Sequence, residues 1–385
     1  MPIRWTFLLA ALLAFTIPMT AEPPPADDPL LPILEPVLQP TVTTLVEQYR
    51  ANRPYQLDDF PLAPDRFANF REDVISRLTK SLDLAYWTVR APQGKANTKP
   101  HLFHDRLLKK IRHHGIEMEV HLIELPETGD KIPVVICLPN TTEPRPAIAV
   151  FSGHSKNGLH DLIVNLDSYQ SGVAVRLAQA GFVSIAVEKL DTGYLSRTAP
   201  SGIDEQPIAS WRLGMDKVTR SVQLMASIAA LEMLASHPRV DETRIGTTGV
   251  SLGGWLSVQA ALLSDRVTAV ADFGRKTVFI PEDASPTDLA DVRDKCHIMP
   301  GMFEIGDRNM ILLAYAPRPM IAGHGRRDTG SHEQAPRYFR DLFAAQYEAL
   351  GASDQFEYAI HEGGDTMPAD VVIDYFRREF GTATQ

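Results

Sequence analysis

The spacing of hydrophobic and polar positions along the chain changes near residue 117. Before that point, residues 65–82 and 105–114 have the apolar spacing of helices. Beyond it, short apolar runs of strand length alternate with longer segments of helical spacing. Alternation of this kind predicts an α/β fold with a mostly parallel central sheet, helices on both faces and an N-terminal helical extension.

The first two predicted strands alternate or run apolar with a hairpin turn between them, and the runs over residues 146–151 and 182–187 are typical of strands buried on both faces. The predicted strands span residues 118–125, 132–138, 146–151, 182–187, 244–250, 267–271, 319–322 and 356–360. Helices are predicted over residues 172–180, 216–237, 252–263, 335–350 and 370–380. Two long inserts, about 188–215 and 273–316, interrupt the alternation. Because ligands bind beyond the carboxyl ends of parallel strands, we expect the inserts beside the binding cleft.

The N-terminal segment has the pattern of a targeting sequence. Arg4 precedes an almost unbroken apolar run, Pro18 ends it, and Ala21 offers a small residue for cleavage. This pattern predicts a signal peptide over residues 1–21 and a secreted or periplasmic protein, with an uncleaved anchor as the alternative. Seven prolines between residues 22 and 40 favour a proline-rich leader or linker over residues 22–64. Residues 65–383 are then long enough for a single large domain.

Charge and cysteine content narrow the classes of partner. A net charge of −10 gives no electrostatic reason to expect nucleic acid or an anionic membrane surface. Cys137 lies within a strand-like apolar run, so we expect a buried thiol rather than a disulfide with Cys296. His101 and His104 alone are a weak metal signal. No metal or organic cofactor is expected.

The sharpest chemical signal is the pentapeptide Gly249-Val-Ser-Leu-Gly253. An apolar strand precedes it and a helix follows it without a gap. A Gly-x-Ser-x-Gly segment in that context predicts a strained strand-to-helix turn that exposes the hydroxyl of Ser251 as a nucleophile. The start of the new helix would point its N–H groups at developing negative charge. A plain tight turn with an incidental serine is the alternative interpretation.

A serine nucleophile needs two N–H donors for the oxyanion and a carboxylate that orients the base. The N–H groups of Leu252 and His154 are the candidate donors, because His154 lies in the loop after the third main strand. Asp328 follows a later strand, as the chain order serine, acid, histidine requires. The alternative for Asp328 is a solvated loop carboxylate beside two arginines.

Two further blocks carry a family resemblance. Ala316-Pro-Arg-Pro319, an apolar strand, a glycine and then Asp328 form the first block, and Cys296-His-Ile-Met-Pro-Gly301 forms the second. With the elbow, residues 65–380 resemble the acetyl-xylan-esterase-like and dienelactone-hydrolase-like branch of the α/β-hydrolase superfamily. The resemblance implies an α/β-hydrolase fold and a serine esterase that acts on a carbohydrate or small-molecule ester through a Ser-Asp-His triad.

The chain departs from that family where the triad histidine is expected. The family's histidine directly follows a glycine pair, whereas Gly363 and Gly364 are followed here by Asp365. Three interpretations are open. His361 serves as the base from the end of the last strand, although it lies four residues, about 13 Å of extended chain, too early. Asp365 itself is the base, although an ordinary aspartate has a pKa of about 4. The site is catalytically degenerate, and the fold is retained for ligand binding.

Side chains of the first insert are candidates for substrate contact. Tyr194, Arg197 and Trp211 offer a stacking platform for a sugar ring or, equally, a cap on the core. Glu188 and Asp191 are expected at the cleft rim as loop carboxylates. His332 is a weaker candidate base, because it neighbours Asp328 in sequence. A peptidase has less support, since no propeller domain is evident.

Overall fold

The computed structural model describes residues 54–55, 59–82, 84, 103–126, 128–190, 192–196, 219–274, 299, 306, 308–328 and 335–382. The predicted signal peptide and most of the leader lie outside these residues. The same is true of most of both inserts, including Asp191, Arg197, Trp211 and Cys296, and of His101 and His332 elsewhere in the chain.

Within the described residues, nine strands form one sheet in the order β1-β2-β3-β5-β4-β6-β7-β8-β9. The strands are β1 His104–His113, β2 Ile116–Glu124, β3 Lys131–Leu138, β4 Arg145–Phe151, β5 Val183–Val187, β6 Val240–Val250, β7 Val267–Phe273, β8 Met320–Gly325 and β9 Phe356–His361. The pairs among β1, β2, β3 and β5 are antiparallel, and those from β5 through β4 to β9 are parallel. This arrangement confirms the predicted α/β class and mostly parallel sheet.

The helices cover both faces of this sheet. They are α1 Pro64–Ser81, α2 Leu159–Ile163, α3 Val173–Gln179, α4 Gly193–Ser196, α5 Thr219–Ser236, α6 Leu252–Leu263, α7 Arg308–Leu313, α8 Ala335–Ala349 and α9 Ala369–Glu379. One face forms a buried core with α2, α3 and α9, to which Phe273 contributes. Because neighbouring strand residues point to opposite faces, Asp272 points to the other side, where Gly254 of α6 packs against it.

Most predicted elements are confirmed to within a few residues, and one is wrong. A helix is predicted over residues 105–114, but residues 104–113 form an exposed edge strand, β1. A two-residue turn at His114 and Gly115, both with positive φ (47° and 80°), joins β1 to β2 as a hairpin. Such a turn matches the twist of paired strands, so the hairpin overrides the helical spacing of the segment.

The carboxyl ends of the parallel strands carry the candidate chemistry. Ser251 follows β6, Asp328 comes three residues after β8, and His361 ends β9. Cys137, within β3, is fully buried and free, as predicted, and burial raises the pKa of its thiol to about 12. We therefore attribute no chemistry to this cysteine.

Candidate active site

Ser251 occupies a strained turn between β6 and α6. Its backbone has φ 58° and ψ −121°, a conformation that residues with a Cβ rarely adopt. The turn is held because the Ser251 N–H donates to Phe273 O at 2.8 Å and the Trp255 N–H donates to Ser251 O at 3.2 Å. The predicted elbow geometry is therefore present, and α6 begins directly after the serine.

Two glycines of the elbow allow backbone segments to approach closely. A Cβ on Gly249 would lie under 3.0 Å from backbone atoms of Gly253 and Gly254. A Cβ on Gly253 would collide in the same way with backbone atoms of Phe151 and Ser152. The first turn of α6 thus packs directly on the chain that leaves β4. The glycine pattern is explained by these contacts.

This packing brings the two candidate oxyanion segments together. The N–H of Leu252 is among the first four of α6, which have no acceptor within the helix. His154 follows Gly153, and a Cβ on Gly153 would lie 2.6 Å from Val250 O. The loop after β4 and the elbow after β6 are therefore adjacent. Their role in oxyanion binding stays a prediction.

Asp328 and His361 lie on neighbouring loops. The Arg326 N–H donates to His361 O at 2.7 Å, and the Arg327 N–H donates to Gly363 O at 2.9 Å. Burial lowers the pKa of His361, while the negative charges of Asp328 and Glu362 act in the opposite direction. Asp328 is thus close enough to influence the predicted base electrostatically.

The ring of His361 is held in an orientation unlike that of a triad base. Its Nδ1 accepts a hydrogen bond from the Gly363 N–H at 3.1 Å, so the proton of the neutral ring is on Nε2. Nε2 is buried and has no hydrogen-bond partner among the described residues. The ring also packs edge-on against Phe273, with centroids 6.3 Å apart. A triad base instead donates from Nδ1 to its acid and accepts the serine proton at Nε2.

The carboxylate that lies beside the elbow belongs to Asp365. A Cβ on Gly274 would lie within 2.6 Å of both Asp365 Oδ1 and Ser251 N. These two atoms are therefore no farther apart than twice that distance, about 5 Å. The structure thus brings Asp365 to the nucleophile turn, while His361 is hydrogen-bonded within its own loop.

Glu188 differs from the expectation of a rim carboxylate, because it is 1% exposed. It accepts hydrogen bonds from the N–H groups of Leu159, Lys189 and Tyr194 and from the Thr192 hydroxyl, at 2.9–3.1 Å. Burial raises its pKa to about 7, although these donors act in the opposite direction. Glu188 therefore ties the loop after β5 to the start of α2. Tyr194, in the same loop, is 38% exposed.

Several buried or half-buried polar side chains near the site were not recognised from the sequence. The ring of Trp255, one turn after Ser251, has the guanidinium carbons of Arg220 and Arg308 at 5.3 and 4.7 Å. The Tyr358 hydroxyl is 2.9 Å from His324 Nδ1. Burial raises the pKa of Tyr358, and the charges of Asp272 and Asp328 add to the shift. Arginines and tyrosines in apolar segments carry no local signal of burial, so only the fold reveals these contacts.

Comparison with known proteins supports the fold described above. Residues 132–289 match the dienelactone hydrolase family. A solved structure from Bacteroides fragilis NCTC 9343, assigned as an acetyl xylan esterase, superposes with a TM-score of 0.67 at 14% identity. The superposed region covers 89% of this chain and 95% of the Bacteroides fragilis chain. The chain has the α/β-hydrolase fold.

Other proteins similar to this chain are also hydrolases or esterases by name. Methylesterase BT1017 has a TM-score of 0.62 at 18% identity and covers 88% of this chain and 69% of its own. A glucuronoyl esterase from Solibacter usitatus has a TM-score of 0.56 at 15% identity, covering 81% and 92%. YtaP of Bacillus subtilis (strain 168), assigned as a hydrolase, is 25% identical over a 234-residue alignment that covers 58% of this chain and 75% of YtaP.

Two further observations concern the described part of the chain. None of its helices combines the length and the apolar character needed to cross a membrane. It also contains no group of three or more histidine, cysteine, aspartate or glutamate side chains arranged to hold a metal ion.

Proposed function

We propose that this α/β-hydrolase is a serine carboxylic-ester hydrolase with Ser251 as its nucleophile. The proposal rests on the backbone of Ser251, which has a φ of 58° and is followed directly by α6. Conformations of this kind cost about 1–3 kcal/mol and cluster at active sites. The adjacent loop at His154 supports the proposal, because it places a second N–H segment beside the elbow.

In the proposed reaction, the Ser251 hydroxyl attacks the acyl carbonyl of the ester and forms a tetrahedral intermediate. The N–H groups of Leu252 and His154 bind its oxyanion, and collapse releases the alcohol. Water then attacks the acyl-enzyme and releases the acid. His361 is the proposed base: it accepts the proton of the Ser251 hydroxyl and donates it to the leaving alkoxide, and in the second step it accepts a proton from water and returns it to Ser251. Asp328 is the acid that orients His361. In this role the His361 ring must first break its hydrogen bond with the Gly363 N–H, so we expect slow turnover.

The proposed substrate class is an acyl ester of a carbohydrate. Support comes from the structural neighbours, whose names include acetyl xylan esterase and glucuronoyl esterase. Export of the protein, as a secreted or periplasmic enzyme, is proposed from the N-terminal pattern alone. Polysaccharide substrates outside the cell are consistent with export.

A second candidate is a ligand-binding protein that retains the hydrolase fold without catalysis. The observation that favours it is the position of Asp365 beside Ser251. An ordinary carboxylate is a poor base and a poor proton donor to a leaving alkoxide at neutral pH. Turnover of a small activated acetate ester by the natural protein and by Ser251→Ala separates the two candidates. A rate that depends on Ser251 supports the esterase, and equal background rates support the binding protein.

A further inference from the structure

The peptide group that joins Gly153 to His154 is fixed on its carbonyl side by a buried lysine. Lys189, 4% exposed, donates from Nζ to Gly153 O at 3.0 Å. The preceding N–H, that of Gly153, donates to Oε1 of the fully buried Gln170 at 2.9 Å. Neither group of Gly153 is therefore available to a substrate, and the loop cannot rotate without breaking one of these bonds.

This arrangement determines the direction of the His154 N–H. The Gly153–His154 bond is not among the cis peptides of the described chain, so its C=O and N–H point in opposite directions. With the C=O directed at Lys189, the N–H points away from that side chain. We propose that Lys189 is a positioning residue, which holds the His154 N–H in place as the second oxyanion donor. The inference rests on the proposed esterase function.

The charge of Lys189 adds to its positional effect. A cation bonded to a peptide oxygen polarises that peptide and strengthens its N–H as a donor, most of all in a buried site. The backbone of Lys189 is itself fixed, because its N–H donates to Glu188 Oε1 and its carbonyl accepts from the Thr192 hydroxyl at 2.8 Å. The Lys189 side chain therefore links the segment after β5 to the loop after β4.

A boronic acid tests the inference without turnover, because its tetrahedral adduct with a serine places an anionic oxygen where the oxyanion forms. We would measure the Kd of phenylboronic acid by calorimetry, and kcat and KM for a small acetate ester, with Lys189→Met. Lys156→Met, a substitution of an exposed lysine in the adjoining loop, is the matched control. Lys189→Gln is a second variant, shorter and uncharged, should Lys189→Met fail to fold.

We expect both Lys189 variants to weaken boronic acid binding and lower kcat by about 10-fold or more, with KM within about 3-fold. Lys156→Met should match the natural protein. Unchanged binding and kcat in a folded Lys189 variant would overturn the positioning role while leaving the esterase proposal intact. No boronic acid binding by the natural protein, or equal binding by Ser251→Ala, would overturn the oxyanion site and this inference with it.

Discussion

The carboxylate of Asp365 lies at most about 5 Å from the backbone nitrogen of Ser251, across Gly274. A negative charge at this distance opposes the formation of an oxyanion at the same turn, because both are negative. The position is the one in which the family resemblance predicts a histidine. The side chain at position 365 is therefore one that a test of the proposed reaction should change.

Asp365→His should restore a base beside the nucleophile. General base catalysis by a positioned side chain contributes about 10²–10⁴-fold, so we expect ester turnover to rise by about 100-fold or more. Asp365→Asn is the control, since it removes the charge without supplying a base and should give a much smaller gain. Equal rates in both variants, with unchanged folding, would show that the missing histidine does not limit the reaction.

The role of His361 can be tested through the pH dependence of kcat/KM. Burial lowers the pKa of its imidazole from 6.5, so the neutral form persists to a lower pH than in a free histidine. If His361 is the base, kcat/KM should fall with falling pH, and the midpoint of that fall should lie below pH 6.5. His361→Gln should remove both the activity and the inflection. A variant with the natural rate and profile would exclude His361 from catalysis.

Burial of Glu188 predicts a pH-dependent stability. Its pKa is about 7 in the folded protein against 4.5 for an unperturbed glutamate, so the folded state binds the extra proton between these values. Stability should therefore fall as pH rises from about 4.5 to about 7, by up to roughly 3 kcal/mol from this group. Glu188→Gln should flatten that part of the profile in denaturant unfolding at pH 5 and pH 8. The same difference in unfolding free energy between pH 5 and pH 8 in both proteins would contradict a raised pKa of Glu188.

Close packing at the elbow predicts that Gly253→Ala is severely damaging. The added Cβ would meet backbone atoms of Phe151 and Ser152, which cannot move independently. We expect a loss of about 1–3 kcal/mol in unfolding free energy, and a loss of ester turnover. Gly364→Ala is the matched control, because its Cβ would be 3.5 Å from Arg327 O, an ordinary contact. Comparable stability of the two variants would argue against the packing described.

Features that depend on neighbouring residues are predicted correctly from the sequence. The elbow and α6 follow from a glycine pattern between an apolar strand and a helix, and the observed backbone of Ser251 agrees. The helix predicted over residues 105–114 is wrong, because pairing with β2 outweighs the helical spacing. The residue type of His114 does not indicate its positive φ, so the hairpin turn could not be predicted from it.

The buried polar contacts around the site could not be predicted in the same way. Glu188 and Lys189 follow a strand and resemble solvated loop residues in the sequence. Their partners, Leu159 and Gly153, lie about 30 or more residues away and are recognised only once β4 and β5 are paired. The departure at Asp365 was visible, but only the folded chain places its carboxylate beside Ser251.

The nucleophilic role of Ser251 is tested by the turnover of an activated acetate ester by the natural protein and by Ser251→Ala. Ser264→Ala, at the far end of α6, controls for the loss of a buried serine. We expect slow turnover that is retained in Ser264→Ala and lost in Ser251→Ala. Equal turnover by all three proteins would contradict a nucleophilic role for Ser251.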